Sequence, residues 1–156
     1  MKNNVVAIIN QKGGVGKTTT SINLGHGLAI LGKKVLLIDL DPQAHSTIVL
    51  APNRLPFALT IQDVLINRRD IRDAIIRTSI ANLNLVPSHI HLDRAEHLLI
   101  PEMFRETRLS QALTGMDYDF ILIDCRPTLG ILSINALYTC GIVLIPCETA
   151  RFSLEG

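Results

Sequence analysis

A glycine-rich stretch near the start of the chain constrains the fold more than any other feature of the sequence. Residues 11–19, here called the P-loop, read Gln-Lys-Gly-Gly-Val-Gly-Lys-Thr-Thr. They follow an apolar run over 5–9 and precede a stretch of helical character over 21–31. A strand, a glycine-rich turn and a helix in this order are typical of a phosphate-binding loop, because the turn and the helix N-terminus gather N–H groups around an anion.

The individual residues of the P-loop suit the binding of phosphate and magnesium. Gly13, Gly14 and Gly16 have no Cβ and let the backbone curl around an anion. Lys17 supplies a mobile cation for the outer phosphates, and the hydroxyl of Thr18 is placed to ligate Mg²⁺. A chance turn rich in glycine and lysine is the alternative, which the strand and helix on either side make the weaker interpretation.

Two residues at the front of the loop depart from the usual pattern. That pattern has a glycine five residues before Gly16, where this chain has Gln11, and a second lysine, Lys12, follows it. A lysine at this point cannot easily fold back onto phosphates that its own loop surrounds. We therefore expect Lys12 to reach a nucleotide held by another subunit.

The composition favours one globular domain over residues 1–156. Hydrophobic residues make up 47% of the chain, and the formal net charge of +1 gives no overall basic field. We expect a cytoplasmic protein without a signal peptide or a membrane span, because no apolar run is long enough for either. The three cysteines lack the spacing of metal or redox sites, and we expect them to be small buried residues: Cys125, Cys140 and Cys147.

Compact apolar runs alternate with amphipathic stretches along the chain. Together with the P-loop, this alternation predicts an α/β fold of the P-loop NTPase type, with a mainly parallel sheet and helices on both faces. The predicted strands cover residues 5–9, 35–38, 83–86, 120–123 and 142–145. The predicted helices cover 18–31, 60–66, 92–100, 102–113 and 129–138, with Thr60 as an N-cap and a loop over 52–56.

Carboxylates follow two of the predicted strands, at the sheet edge where ligands of parallel sheets bind. Asp39 and Asp41 follow the second strand, and Asp124 follows the fourth. We expect Asp124 to support Mg²⁺, and Asp41, which lies farther out, to orient an attacking water. The alternatives are a helix N-cap for Asp124 and a solvated turn residue for Asp41. Ser46 and Thr47 either sense the γ-phosphate or Mg²⁺, or are ordinary residues at the start of a helix.

Two further groups of polar residues are better explained without a ligand. Three histidines lie close together in the sequence: His89, His91 and His97. No further metal ligands accompany them there, so we favour solvated or buried histidines over a metal site. Four arginines form a basic stretch: Arg68, Arg69, Arg72 and Arg77. It either contacts phosphate backbones or, as we favour, forms a solvated helix face.

Several segments together resemble the ParA/Soj family of partition ATPases, in the deviant-Walker group that also holds MinD and the nitrogenase iron protein. Residues 12–19 look like the family's deviant Walker A motif, 39–43 like its Asp-Leu-Asp-Pro-Gln motif, and 120–130 like its Walker B region. Residues 85–88 and 133–137 are similar to the middle segment of the family and to the helix after Walker B.

The resemblance implies an ATPase that works with Mg²⁺ in a homodimer bridged by ATP. The residues implied to bind ATP or ADP are Lys12, Gly13, Gly14, Val15, Gly16, Lys17, Thr18 and Thr19. The implied catalytic residues are Lys12, Lys17 and Asp41, and those implied to support Mg²⁺ are Thr18, Asp41 and Asp124. The family also binds DNA nonspecifically and is stimulated by a ParB-like partner, which implies association with the nucleoid and no membrane.

Two departures limit what the resemblance implies. Arg126 stands where the family usually has proline, and a bulky cation beside the Mg²⁺ site could alter the switch that follows it. Family members are longer, so we expect the C-terminal part of the family domain to be missing, with the adenine contacts and much of the DNA-binding surface. The alternatives are a catalytically idle nucleotide-binding module and another deviant-Walker ATPase, of the MinD or cofactor-biosynthesis type.

Overall fold

Six strands form the central sheet of the computed structural model, which describes residues 2–52 and 56–149. The strands are β1 Lys2–Ile8, β2 Val35–Leu40, β3 Ile76–Arg77, β4 Leu83–Val86, β5 Phe120–Cys125 and β6 Cys140–Leu144. Their order is β3-β4-β2-β5-β1-β6, and all neighbours are parallel except β3 and β4. The carboxyl ends of the parallel strands therefore lie along one edge, which is where ligands bind in such sheets.

Helices cover both faces of the sheet. They are α1 Lys17–Ile30, α2 His45–Leu50, α3 Ile61–Asn67, α4 Ile71–Ala74, α5 Leu92–Leu99, α6 Arg108–Ala112 and α7 Ile131–Thr139. α1 and α2 pack on one face and α3 to α7 on the other, and a 3₁₀ turn over Arg105–Thr107 precedes α6. Within the described ranges, no helix is long and apolar enough to cross a membrane.

The side chains of the strands alternate between two apolar layers. In β1, Val5 and Ala7 face the layer of α3 to α7, whereas Val6 and Ile8 face the layer of α1 and α2. β2 lies in the interior of the sheet and is buried along its whole length. Burying such an aliphatic side chain contributes about 1.5–3 kcal/mol. The two layers hold the P-loop and the ends of β2 and β5 in fixed relative positions.

The predicted fold class is confirmed, and most predicted elements agree with the structure to within about three residues. Three short elements were not predicted: β3, α2 and α4. The helix predicted over 102–113 is wrong at its start, because Phe104 has a φ of 57° and regular α-helix begins only at Arg108. The N-cap predicted at Thr60 is confirmed, since Thr60 and Asp63 form a capping box. Part of the loop predicted over 52–56 lies outside the described residues.

The cysteines divide into two buried residues and one exposed residue. Cys125 and Cys140 are buried, and burial raises the pKa of both thiols. Cys147 follows β6 and is exposed, so the expectation of burial is wrong for this residue. Its Sγ lies 4.0 Å from the Nδ2 of Asn10.

Candidate functional site

The P-loop folds around an open concavity between β1 and α1. Gly14 and Gly16 have φ angles of 77° and 84°, which L side chains rarely adopt. A Cβ at either position would meet nothing within 4 Å, so the backbone conformation, and not lack of space, requires glycine. α1 begins directly after Gly16, which has no side chain to cap the first N–H groups of the helix. Those donors are available to an anion.

A cavity of about 360 Å³, here called the loop cavity, lies on this concavity. Its lining includes Gly13, Gly14, Gly16, Lys17, Thr18, Thr19, Asp41 and Pro127. Three of the predicted site residues do not line it, namely Lys12, Val15 and Asp124. Lys17 is almost fully buried, and its Nζ donates a hydrogen bond of 3.0 Å to the carbonyl oxygen of Lys12. An anion in the cavity would offer this ammonium group a charged acceptor.

Asp124 lies behind the P-loop near the end of β5. Its Oδ1 accepts a hydrogen bond of 3.1 Å from the Ser21 hydroxyl, and its Oδ2 accepts one of 2.6 Å from Ser46. Burial raises the pKa of Asp124, and hydrogen bonds from Ser46, Thr18 and Ser21 oppose that rise. A carboxylate joined to the Thr18 hydroxyl suits a cation that prefers oxygen ligands. The N-cap of α7 is Gly130, so the N-cap alternative for Asp124 is wrong.

Asp39 lies opposite Asp124 on the neighbouring strand and is fully buried. Its Oδ2 accepts hydrogen bonds from the N–H and the hydroxyl of Thr47, at 2.8 and 2.7 Å. Burial raises the pKa of Asp39 to about 7, against the lowering effect of the Thr47 hydrogen bonds. Ser46 and Thr47 therefore bind two buried carboxylates and attach the start of α2 to the sheet.

Asp41 lies just beyond β2, which ends at Leu40, and it lines the loop cavity. Its Oδ1 accepts a hydrogen bond of 2.9 Å from the N–H of Gln43, and its carbonyl oxygen accepts one of 2.7 Å from Ser88. Its Oδ2 has no hydrogen-bond partner among residues 2–52 and 56–149. One carboxylate oxygen of a fixed residue is thus available to a water molecule or a cation in the cavity.

Lys12 is held on a segment that follows β6. Its Nζ forms an ion pair of 3.0 Å with Oε2 of Glu148, and its backbone N–H donates to Oδ1 of Asn10. The Nδ2 of Asn10 donates in turn to the carbonyl oxygen of Pro146. The side chains of Lys12 and Glu148 are 45% and 50% exposed. Exposed ion pairs contribute about 0–1 kcal/mol, so Lys12 can leave Glu148 at little cost.

Arg126 contacts α5 and does not line the loop cavity. Its Nη1 donates to Oε2 of Glu96 at 2.7 Å and to Oδ1 of Asp93 at 3.1 Å. Its Nε and the Oε1 of Glu96 are buried and have no hydrogen-bond partner in the part of the chain that the structure describes. A Cβ at Gly130 would overlap Glu96 Oε1. Two carboxylates of α5 thus compensate the charge of Arg126, and its effect on the segment that follows stays a prediction.

The histidines and the remaining arginines lie outside the loop cavity, apart from His45 at its edge. The rings of His89 and His91 lie 4.6 Å apart. Over the described ranges, no group of three or more His, Cys, Asp or Glu side chains could hold a metal ion. Arg68, Arg69 and Arg72 line a different cavity.

Sequence reasoning missed several residues that contact the predicted site. Ser21 lies one helical turn after Lys17, so a hydroxyl on the same face of α1 was an available signal. Glu148 reaches Lys12 across 136 residues of sequence, and Glu96 reaches Arg126 across 30. No local pattern marks these two glutamates, because only the folded chain brings them to their partners.

Comparison with known proteins identifies the family. A sequence profile described as an AAA domain matches residues 3–156. The chain is 46% identical over 154 residues to the sporulation initiation inhibitor protein Soj of Bacillus subtilis. The alignment covers 97% of this chain and 61% of that protein. This chain belongs to the ParA/Soj family of AAA-domain ATPases.

Two further comparisons, one with a curated relative and one with a solved structure, describe the extent of the match. The chromosome partitioning protein ParA of Caulobacter vibrioides is 41% identical over 156 residues, covering 97% of this chain and 58% of that protein. Among solved structures, cobyrinic acid a,c-diamide synthase from Mycobacterium smegmatis, with bound ATP analog and magnesium, has a TM-score of 0.89 and 37% identity. That match covers 96% of this chain and 64% of the other. The chain thus spans about three-fifths of the length of these relatives.

Proposed function

We propose that this chain forms the nucleotide-binding part of a DNA-partitioning ATPase, which binds Mg²⁺-ATP on the P-loop and hydrolyses it in a dimer bridged by ATP. The loop cavity supports this proposal most directly, because Lys17, Thr18 and Asp41 all line it. The names and ligands of the relatives add to it: one is a chromosome partitioning protein, and another was solved with an ATP analog and magnesium.

In this proposal the P-loop supplies most of the phosphate contacts. Its backbone N–H groups surround the phosphates, and Lys17 contacts the outer ones. The hydroxyl of Thr18 and the carboxylate of Asp124 would hold Mg²⁺, which prefers oxygen ligands. When bound, Mg²⁺ neutralises charge on the phosphates. Asp41, on the open side of the cavity, supports the ion and orients the attacking water through its free Oδ2.

Two subunits share the chemistry in this proposal. Phosphoryl transfer depends on positioning and on neutralising charge that develops on the transferred group. Lys12 of each subunit leaves Glu148 and supplies that positive charge to the nucleotide of its partner. A ParB-like protein stimulates turnover and nonspecific DNA binds the ATP-bound dimer, which would place the protein at the nucleoid in the cytoplasm.

A fluorescent ATP analogue with Mg²⁺, followed by phosphate-release measurements, tests the site. Lys17→Ala should weaken nucleotide binding at least tenfold, because it removes a charged hydrogen-bond donor worth about 1.5–3 kcal/mol. Lys12→Ala should keep binding but lower turnover by about 10³–10⁵, as loss of an arginine finger does. Lys33→Ala, at an exposed position after α1, is the matched control and should change neither. Unchanged binding by Lys17→Ala would exclude this site, and full turnover by Lys12→Ala would exclude the shared mechanism.

A nucleotide-binding module without turnover is the second candidate. It is favoured by the ion pair of Lys12 with Glu148 of its own chain. Tight Mg²⁺-ATP binding without phosphate release, even with DNA and a ParB-like protein, would select it. ATP turnover that requires a carboxylic-acid acceptor would instead select an amide synthase, the activity named for the M. smegmatis neighbour.

A further inference from the structure

A second cationic cavity lies beside the C-terminal end of α3, away from the P-loop. α3 starts at the carboxyl end of β4, where the N–H of Ile61 donates to the carbonyl oxygen of Pro87, and it ends at Asn67. The cavity beside that end measures about 370 Å³ and shares no lining residue with the loop cavity. Four arginines line it and give the arginine cavity its name: Arg68, Arg69, Arg72 and Arg108.

Two of these arginines are held in fixed orientations. The side chain of Arg108 is only 6% exposed, and its Nη2 donates to Oε2 of Glu102 at 2.7 Å. Arg72 pairs with the carboxylate of Asp70 at 3.2 Å, and its Nη2 donates to the carbonyl oxygen of Gly115. A guanidinium group that is already oriented loses less conformational entropy when it binds a ligand.

The other two arginines have free guanidinium groups on a fixed backbone. The N–H groups of Arg68 and Arg69 both donate to the carbonyl oxygen of Asp63. Neither side chain forms a hydrogen bond or an ion pair within residues 2–52 and 56–149. Arg68 also has a φ of 52°, at a helix C-cap where glycine is the favoured residue. An arginine there is unfavourable for the backbone but adds a charge at the rim of the cavity.

The charges around the arginine cavity are not balanced. Asp70 lines the cavity and Glu102 pairs with Arg108, so two carboxylates face four guanidinium groups and leave a formal excess of +2. Like charges that share a cavity repel one another, and a bound anion would relieve that repulsion. The neutral side chains of Gln111 and Thr114 add further polar groups to the lining.

We propose that the arginine cavity binds a phosphate-bearing anion. The planar fork of a guanidinium group matches the oxygens of phosphate, and a phosphate group has enough acceptor oxygens to meet donors from several sides. Arg68 and Arg69 close on the anion, while Arg72 and Arg108 form its fixed base. The phosphate comes either from a free polyphosphate or from the backbone of a nucleic acid, and the two sources share this chemistry.

Backbone NMR shifts during a titration with inorganic pyrophosphate in EDTA test the proposal, because they separate this cavity from the P-loop. We expect saturable shifts at the amides of residues 68–72 and 108–114. They should occur whether or not the amides of residues 13–19 in the P-loop also shift. Arg69→Gln should raise the pyrophosphate concentration at the midpoint of these shifts about tenfold or more. This is the effect of losing one charged hydrogen bond. Arg94→Gln, at an exposed position on α5, removes the same charge outside the cavity and should leave them unchanged.

A second variant separates binding from stability. Arg68→Gly removes a guanidinium group and also relieves the left-handed backbone, so it should raise Tm while weakening pyrophosphate binding. Shifts confined to 13–19, shifts that never saturate, or equal losses in Arg69→Gln and Arg94→Gln would each overturn the proposal. Shifts at 68–72 with a short DNA duplex but not with pyrophosphate would support it and assign the phosphate to a nucleic acid. Failure of ATP binding at the P-loop leaves this test unaffected.

Discussion

Three aspartates near the P-loop have different surroundings, and those surroundings set different roles. Asp39 is fully buried and bonded to Thr47, whereas Asp124 accepts two hydroxyl groups behind the loop. Asp41 lies at the cavity with one free oxygen. Buried carboxylates lose solvation and hold protons more tightly, whereas a partly exposed one can act on a ligand. Because Asp39 is fully buried, its protonation affects the fold itself.

The stability of the ligand-free protein should depend on pH through Asp39. Its pKa in the fold is about 7, above the 3.8 of an unperturbed aspartate, so the folded state binds the proton more tightly. The contribution of Asp39 to the free energy of unfolding is therefore complete below about pH 4, and it is lost as the pH rises through about 7. The loss amounts to about 4 kcal/mol, at 1.36 kcal/mol per pKa unit.

Urea unfolding at pH 5, 6, 7 and 8 measures this dependence. Asp39→Asn removes the titrating group and should flatten the fall in unfolding free energy between pH 5 and pH 7. Asp73→Asn, at an exposed position on α4, should keep the wild-type slope. A slope that is the same in Asp39→Asn and in the wild type would show that another group is responsible.

The individual residues of the P-loop could be predicted because their pattern is local in the sequence. Lys17 and Thr18 need only the preceding strand and the following helix to be recognised. Ser46, by contrast, meets Asp124 across 78 residues, and Ser21 meets it across 103. Serine is common on helices, so neither residue differs in sequence from an ordinary surface hydroxyl. The roles assigned to the P-loop residues, to Asp41 and to Asp124 stay predictions.

At the scale of elements, the segment after β5 is tied to α5 and α7. Arg126 pairs with Glu96, and the carboxylate of Glu96 occupies the space next to Gly130, the N-cap of α7. The backbone of Gly130 is extended, with a φ of −99°, so any residue could adopt its conformation. Any larger residue there would instead have to displace the neighbouring carboxylate of Glu96.

Gly130→Ala should destabilise the fold because the new Cβ displaces Glu96. We expect a loss of about 1–3 kcal/mol, the usual effect of overpacking. Gly27→Ala is the matched control, because Gly27 lies inside α1 and a Cβ there meets nothing within 4 Å. It should stabilise the fold by up to about 1 kcal/mol through helix propensity. Chemical denaturation measures the free energy of unfolding of both variants. A change of the same sign in Gly130→Ala and Gly27→Ala would contradict this account.

A double-mutant cycle tests the ion pair between Arg126 and Glu96. The variants Arg126→Gln and Glu96→Gln should show a coupling free energy of about 1–3 kcal/mol, because both side chains are mostly buried. The cycle with Asp93→Asn should give a smaller coupling, since the Asp93 side chain is 64% exposed. Equal coupling in the two cycles would mean that burial does not set the strength of this contact.

The long elements could be predicted from the sequence, whereas the short ones depend on tertiary contacts. β2 and β5 each begin with a run of four apolar residues, and α1 ends at Ile30, one residue before the predicted end. β3 has two residues and exists through its antiparallel pairing with β4. α2 follows Ala44, which offers no side-chain cap and has a φ of 54°. Its first turn is held by Asp39 and Asp124, which lie outside the helix.

At the scale of the whole molecule, the proposed mechanism needs two copies of the chain. Asp41→Ala should trap an ATP-bound dimer, because the water is no longer oriented and the bridging ATP persists. Light scattering in excess Mg²⁺-ATP measures the mass of the particle. The double variant Asp41→Ala/Lys17→Ala should remain monomeric, since it does not hold the nucleotide. A monomeric Asp41→Ala in excess Mg²⁺-ATP would count against the ATP-bridged dimer.

The distribution of the cysteines gives the protein a natural labelling position. Cys125 and Cys140 are inside the core, whereas the thiol of Cys147 is exposed beside Asn10 and next in sequence to Glu148. A maleimide dye should therefore attach at one known position of the unaltered chain. Because that position adjoins the Lys12–Glu148 ion pair, the brightness of the dye would report in real time when the lysine departs.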